Sequence, residues 1–189
     1  TPSGGVETFV SGRAALRAFL CPHGTDQMEA DAASVVAAEP LWGGWRPASL
    51  GFLAAARWLR GDDAGASALF SESIETATSL GFDDPQARYL AYRAVLSMDR
   101  DDWVSAERDI HRACSVVAAS HLSEYAVNAI VQAARARWLL HHNEIERGRS
   151  VLLEAMRLRT SITWVNPWAA VWVRVEMADA HLALADPEG

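Results

Sequence analysis

The sequence contains no lysine. All seventeen basic residues are arginine, set against twenty-four acidic ones, which leaves a net charge of -7 and a pI near 5.3. A coding bias accounts for arginine-only usage as well as any physical role does. The acidic balance excludes a chain that grips a phosphate backbone by itself, because that needs clustered positive charge. Cys21 and Cys114 are too few for a disulfide framework. Uninterrupted apolar runs are short, and none approaches the roughly 18 residues of a membrane span. A start at Thr1 without a basic-then-apolar leader leads to the expectation of a cytoplasmic chain cut from a longer protein. The G-x-x-x-x-G-K-[ST] loop, the G-x-S-x-G elbow and a basic three-helix segment are all missing, so the chain is expected to be noncatalytic and free of direct nucleic-acid contact.

What is present is a short turn that recurs. Gly61-Asp62-Asp63-Ala64-Gly65-Ala66 follows one apolar run and precedes another. Asp101-Asp102-Trp103-Val104-Ser105-Ala106 repeats it, His142-Asn143-Glu144 keeps the polar pair, and Ala185-Asp186-Pro187 begins it again. The copies start at 61, 101, 142 and 185, steps of 40, 41 and 43. A near-constant step of that size marks a stacked array of helical hairpins, each burying its apolar face against its neighbours.

Half the residues are hydrophobic and 22% are charged, as suits a folded core. Helical spacing runs from Val6 to Leu20 and from Asp26 to Ala38, followed by a Gly- and Pro-rich loop, Glu39 to Pro47. These form an irregular first hairpin and loop over 6–45. Regular hairpins are predicted over 46–82, 83–120 and 121–163, with an unpaired last helix over 164–189, all within one domain, 1–189. Asp62 or Asp63, Asp84, Asp102, Ser123 and Asn166 read as helix caps, Pro85 and Pro167 as first-turn prolines, and Gly81 as a stop. Gly148 inside a helix predicts the close passage of another. The last helix, Trp168 to Leu184, is read with Val171, Val175, Ala178 and Leu182 inward.

Aligned on their turns, the hairpins place Ala66 and Ala106 at one position and Phe70, Ile110 and Val151 four residues on. These match the small and large positions of a tetratricopeptide-type second helix, with lengthened repeats. The expected fold is therefore all-α: a right-handed superhelix of antiparallel helix hairpins, a tetratricopeptide-like α-solenoid.

The whole chain also resembles the C-terminal helical-repeat region of large bacterial LuxR-family regulators of the MalT type. Cys21-Pro22-His23-Gly24 with Met28 to Ala32, Glu39-Pro40 with Trp42 to Trp45, Trp58 to Asp62, Asn166-Pro167-Trp168 and Leu182 to Asp186 carry the resemblance. It implies a sensor and interaction region that transmits effector or partner binding to an ATPase module and a DNA-binding helix-turn-helix, neither contained in this chain, with ATP bound only in that other module. Similar arrays occur in regulatory kinases and cyclases. The alternative from the repeats alone is a free-standing peptide-binding adaptor.

Candidate chemistry has bland readings. The acidic pairs Asp62-Asp63, Asp83-Asp84 and Asp101-Asp102 fall at helix starts, where capping explains them. Of six histidines only His111, with Glu107, has ligand-like spacing, so no metal is expected. In tetratricopeptide-like arrays the first helix of each hairpin lines the concave face. Arg88, Tyr92, Asn128, Arg135, Trp168 and Trp172 are therefore the groove candidates, suited to a small polar effector or an extended peptide. A homo-oligomer is compatible with the unpaired last helix.

Overall fold

The computed structural model describes residues 4–185, with side chains from residue 9 onward. The described residues are all-α, a helical-repeat fold of antiparallel hairpins. The helices are α1 (Gly4–Leu20), α2 (Thr25–Ala38), α3 (Arg46–Leu59), α4 (Asp63–Leu80), α5 (Asp83–Asp99), α6 (Trp103–Ala119), α7 (Ala126–His141), α8 (Ile145–Leu158) and α9 (Pro167–Ala183), with a short 3-10 turn at Arg159–Ser161. None is long and apolar enough to cross a membrane.

The recurring turn has one backbone form. Gly61, Asp101, Asn143 and Ala185 take φ of 80°, 62°, 61° and 53°, the left-handed region. Each N–H returns to a carbonyl three residues back: Gly61 to Trp58, Asp101 to Met98, Asn143 to Leu140 and Ala185 to Leu182. In the first three turns the next N–H reaches five back, Asp62 to Arg57, Asp102 to Ser97 and Glu144 to Leu139, so the orphan carbonyls of the ending helix are satisfied. The carboxylates of Asp62 and Asp102 then accept from the N–H of Gly65 (3.0 Å) and Ser105 (3.1 Å), starting the following helix. The Asp186-Pro187 half of the fourth turn lies outside the described residues.

The chain divides into two compact units, 1–89 and 90–189, with the division inside α5. In the first unit α1 packs on α2 and α3, and α3 packs on α2 and α4. An aromatic series fills its core: Phe19 against Phe52, Trp58 edge-on to Phe70, and Phe70 stacked on Tyr89 at 5.9 Å. The hydroxyl of Tyr89 donates to the carbonyl of Ala48 at 3.1 Å, and Gly51 is glycine because a Cβ there would overlap the Tyr89 ring. In the second unit α7 is central, packed by α6, α8 and α9. Gly148 admits Leu140, whose Cδ2 would meet an added Cβ at 2.6 Å, so the close passage expected there is present.

Three local expectations are corrected. Helix α5 begins at Asp83, so Asp84 lies in the first turn, where its carboxylate takes Arg88 (2.6 Å) and does not cap. Helix α7 begins after Tyr125 with no side-chain cap; Ser123 contributes its carbonyl, which accepts from Asn128 Nδ2 at 2.8 Å. In α9 the inward face is Ala169, Val173, Glu176, Met177 and Ala180, whereas Val171, Val175, Ala178 and Leu182 face outward. In this rotation Glu176 is buried and meets the half-buried Arg137 of α7 at 3.2 Å. The Asn166 cap is as expected, accepting from Ala169 N–H at 3.2 Å.

Candidate functional site

Five of the six groove candidates belong to the second unit, and three of those are drawn together. Tyr92 of α5 lies against Trp168 and Trp172 of α9, with ring centroids 4.9 and 6.2 Å away, and the two indoles meet edge to face at 6.5 Å. Tyr92 and Trp168 are buried and Trp172 is half-buried, so the first two back the cluster and Trp172 is its accessible member. Asn128 is buried, its amide donating to Ser123 and its carbonyl accepting from Gln132. Arg135 is half-buried on α7 and forms no ion pair among the described residues. In the first unit, Arg88 is half-buried and held by Asp84.

Sequence reasoning missed the charges that tie helices together. In the second unit Arg137 of α7 spans two elements, with Asp99 at the end of α5 (2.8 Å) and Glu176 of α9 (3.2 Å). Glu176 is 2% exposed, and burial pushes its carboxyl up to about 7; Arg137 opposes that rise, and the charges of Asp99 and Asp179 add to it. Arg93 of α5 grips the buried Asp109 of α6 through two bonds, 2.6 and 2.8 Å. In the first unit Arg17 of α1 holds Asp31 of α2 in the same bidentate way, which keeps that carboxyl below the usual range, and Arg57 of α3 reaches Glu29 of α2 at 2.6 Å. A signal was present: Arg57 and Arg137 follow Arg17 by 40 and 120 residues, one and three repeat lengths.

Nucleophilic chemistry finds little support in these surroundings. Burial pushes the thiols of Cys21 and Cys114 up, which keeps them protonated and unreactive. Asp62 and Asp102 are occupied as caps. The imidazole of His141 stacks on Trp103 at 3.5 Å, and His142, which meets Trp103 edge to face, donates from Nδ1 to the Trp138 carbonyl (2.9 Å), so both rings serve the α6–α7 contact. Among the described residues no three His, Cys, Asp or Glu side chains converge as metal ligands. A shallow cleft of about 370 Å³ lies between α8 and the end of α9, lined by Leu152, Leu153, Met156 and Leu184 with Arg149 and His181.

No protein-family model matches the chain, and no curated protein matches it. Among solved structures, the crystal structure of BtubC (BKLC) from P. vanneervenii is similar over 100% of this chain and 87% of that one, with a TM-score of 0.56 and 12% sequence identity. At that identity the likeness is one of fold: the helical-repeat arrangement is shared.

Proposed function

We propose that this chain is a noncatalytic sensor and protein-interaction region, the helical-repeat part of a LuxR-family, MalT-type transcriptional regulator. What favours binding over catalysis is how its polar groups are used. Buried charges join helices, as in Arg93 with Asp109 and Arg137 with Glu176; carboxylates cap; thiols are held neutral. The regulator assignment rests on the sequence phrases from Cys21 to Asp62 and from Asn166 to Asp186, for which a repeat of helical hairpins is the fitting fold. The effector would contact two half-buried groups: Trp172, whose ring packs against Tyr92 and Trp168, and the guanidinium of Arg135, which forms no ion pair among the described residues.

The test is a titration of the chain with a panel of polar metabolites and extended peptides, followed by Trp fluorescence and amide shifts. A ligand whose affinity falls with Trp172→Ala and with Arg135→Ala supports the reading. If both variants bind it unchanged, the site is wrong. A gene product that encodes a nucleotide-binding domain before Thr1 and a helix-turn-helix after Gly189 supports the regulator. One that encodes neither favours the peptide-binding adaptor.

A further inference from the structure

Helix α9 carries two apolar stripes, and the fold buries the worse one. The inward stripe, Ala169, Val173, Met177 and Ala180, includes Glu176. The outward stripe, Val171, Val175, Ala178 and Leu182, contains no charge, yet Val171, Val175 and Leu182 are 51, 48 and 70% exposed. Taking a carboxylate out of water costs free energy even when an arginine pairs it, and leaving three large apolar side chains in water forgoes their burial. Both costs favour the opposite rotation of α9 in an isolated chain. The observed rotation is the economical one only if the outward stripe is itself covered.

The spacing of that stripe says by what. Its steps are four, three and four, a coiled-coil seam with Val175 and Leu182 at a positions and Val171 and Ala178 at d positions. Arg174 then stands at g and Asp179 at the following e. In a parallel, in-register pair the g residue of one helix faces the e residue five places on in the other. Arg174 would thus face Asp179 of the second copy, and Asp179 would face its Arg174, flanking one apolar seam with two opposite-charge pairs. We infer that α9 pairs with α9 of a second copy of this chain, parallel and in register, through Val171, Val175, Ala178 and Leu182. Asp179 has no ion pair among the described residues. Arg174 lies over the Trp164 ring at 4.7 Å and donates to the Ala170 carbonyl, and it must swing from that exposed indole to reach the copy. An antiparallel copy would set Arg174 beside His181 and Asp179 beside Trp172, matching no opposite charges. Helix α1 also exposes Phe9, Leu16 and Leu20, but Arg13 interrupts its stripe at the place Val175 fills in α9.

Sedimentation of the full chain over a concentration series tests this. The expected result is a reversible monomer–dimer equilibrium, weak because the seam has only four layers. Val175→Glu, at an exposed position that leaves the helical circular dichroism unchanged, should weaken association by about tenfold or more. Asp179→Arg places like charges together and should also weaken it; the double variant Arg174→Asp with Asp179→Arg should restore it. Leu16→Glu on α1 should have no effect. A monomer at every concentration overturns the inference and means that another segment or protein covers the stripe. A dimer indifferent to Val175→Glu, sensitive to Leu16→Glu, or not rescued by the double swap overturns it equally.

Discussion

Ala106 has no exposed surface, as the small position of a close helix crossing requires. Ala106→Leu adds three carbons to a filled space and should cost about 1 to 3 kcal/mol, read from a denaturant midpoint. Glu176 makes a different kind of prediction. Its carboxyl is raised from an ordinary 4.5 to about 7, so the folded state keeps the proton over a range in which the unfolded state has lost it. Stability from this group is full below pH 4.5 and is lost as pH rises through about 7. Glu176→Gln should remove that slope. Across the window the natural chain should lose about 3 kcal/mol relative to the variant, which paired thermal or chemical unfolding curves would show. Neither burial nor partner of Glu176 was legible in the sequence, since a glutamate counts against burial in any periodicity and Arg137 lies on another helix. The aromatic residues Tyr92, Trp168 and Trp172 were singled out together and do meet, but spacing alone could not tell a lining ring from a packed one.

Helix ends were the most legible elements, because a cap is chemistry between neighbours. Asp62, Asp102, Asn166 and Gly81 act where the sequence places them. Asp102→Ala removes the acceptor for Ser105 N–H and should lower stability by about 1 kcal/mol, whereas Ser123→Ala, which touches no cap, should be close to neutral in the same assay. Helix faces were less legible. The cleaner stripe of α9 was read as inward, but the direction a helix faces depends on everything packed around it, and the face that turns inward carries Glu176 to Arg137.

At the scale of the molecule, the repeat step carried the fold class and the charge balance carried an exclusion. With a net charge of -7 the chain should pass through a DNA-cellulose column at low salt without retention. Retention that fades as salt rises would contradict it. Effector chemistry was not legible, because nothing in the spacing of the residues that could provide it, Arg135 and Trp172, separates them from packing residues.

The turns at Gly61, Asp101, Asn143 and Ala185 share a backbone angle while differing in side chain. A gene encoding such an array can therefore gain or lose a forty-residue module without repairing the junction. A chain cut after Gly61 and rejoined at Asp102 drops two helices, yet enters α6 through the same left-handed step and the same aspartate cap. Lineages carrying this fold should vary in the number of modules more freely than in the length of any one of them.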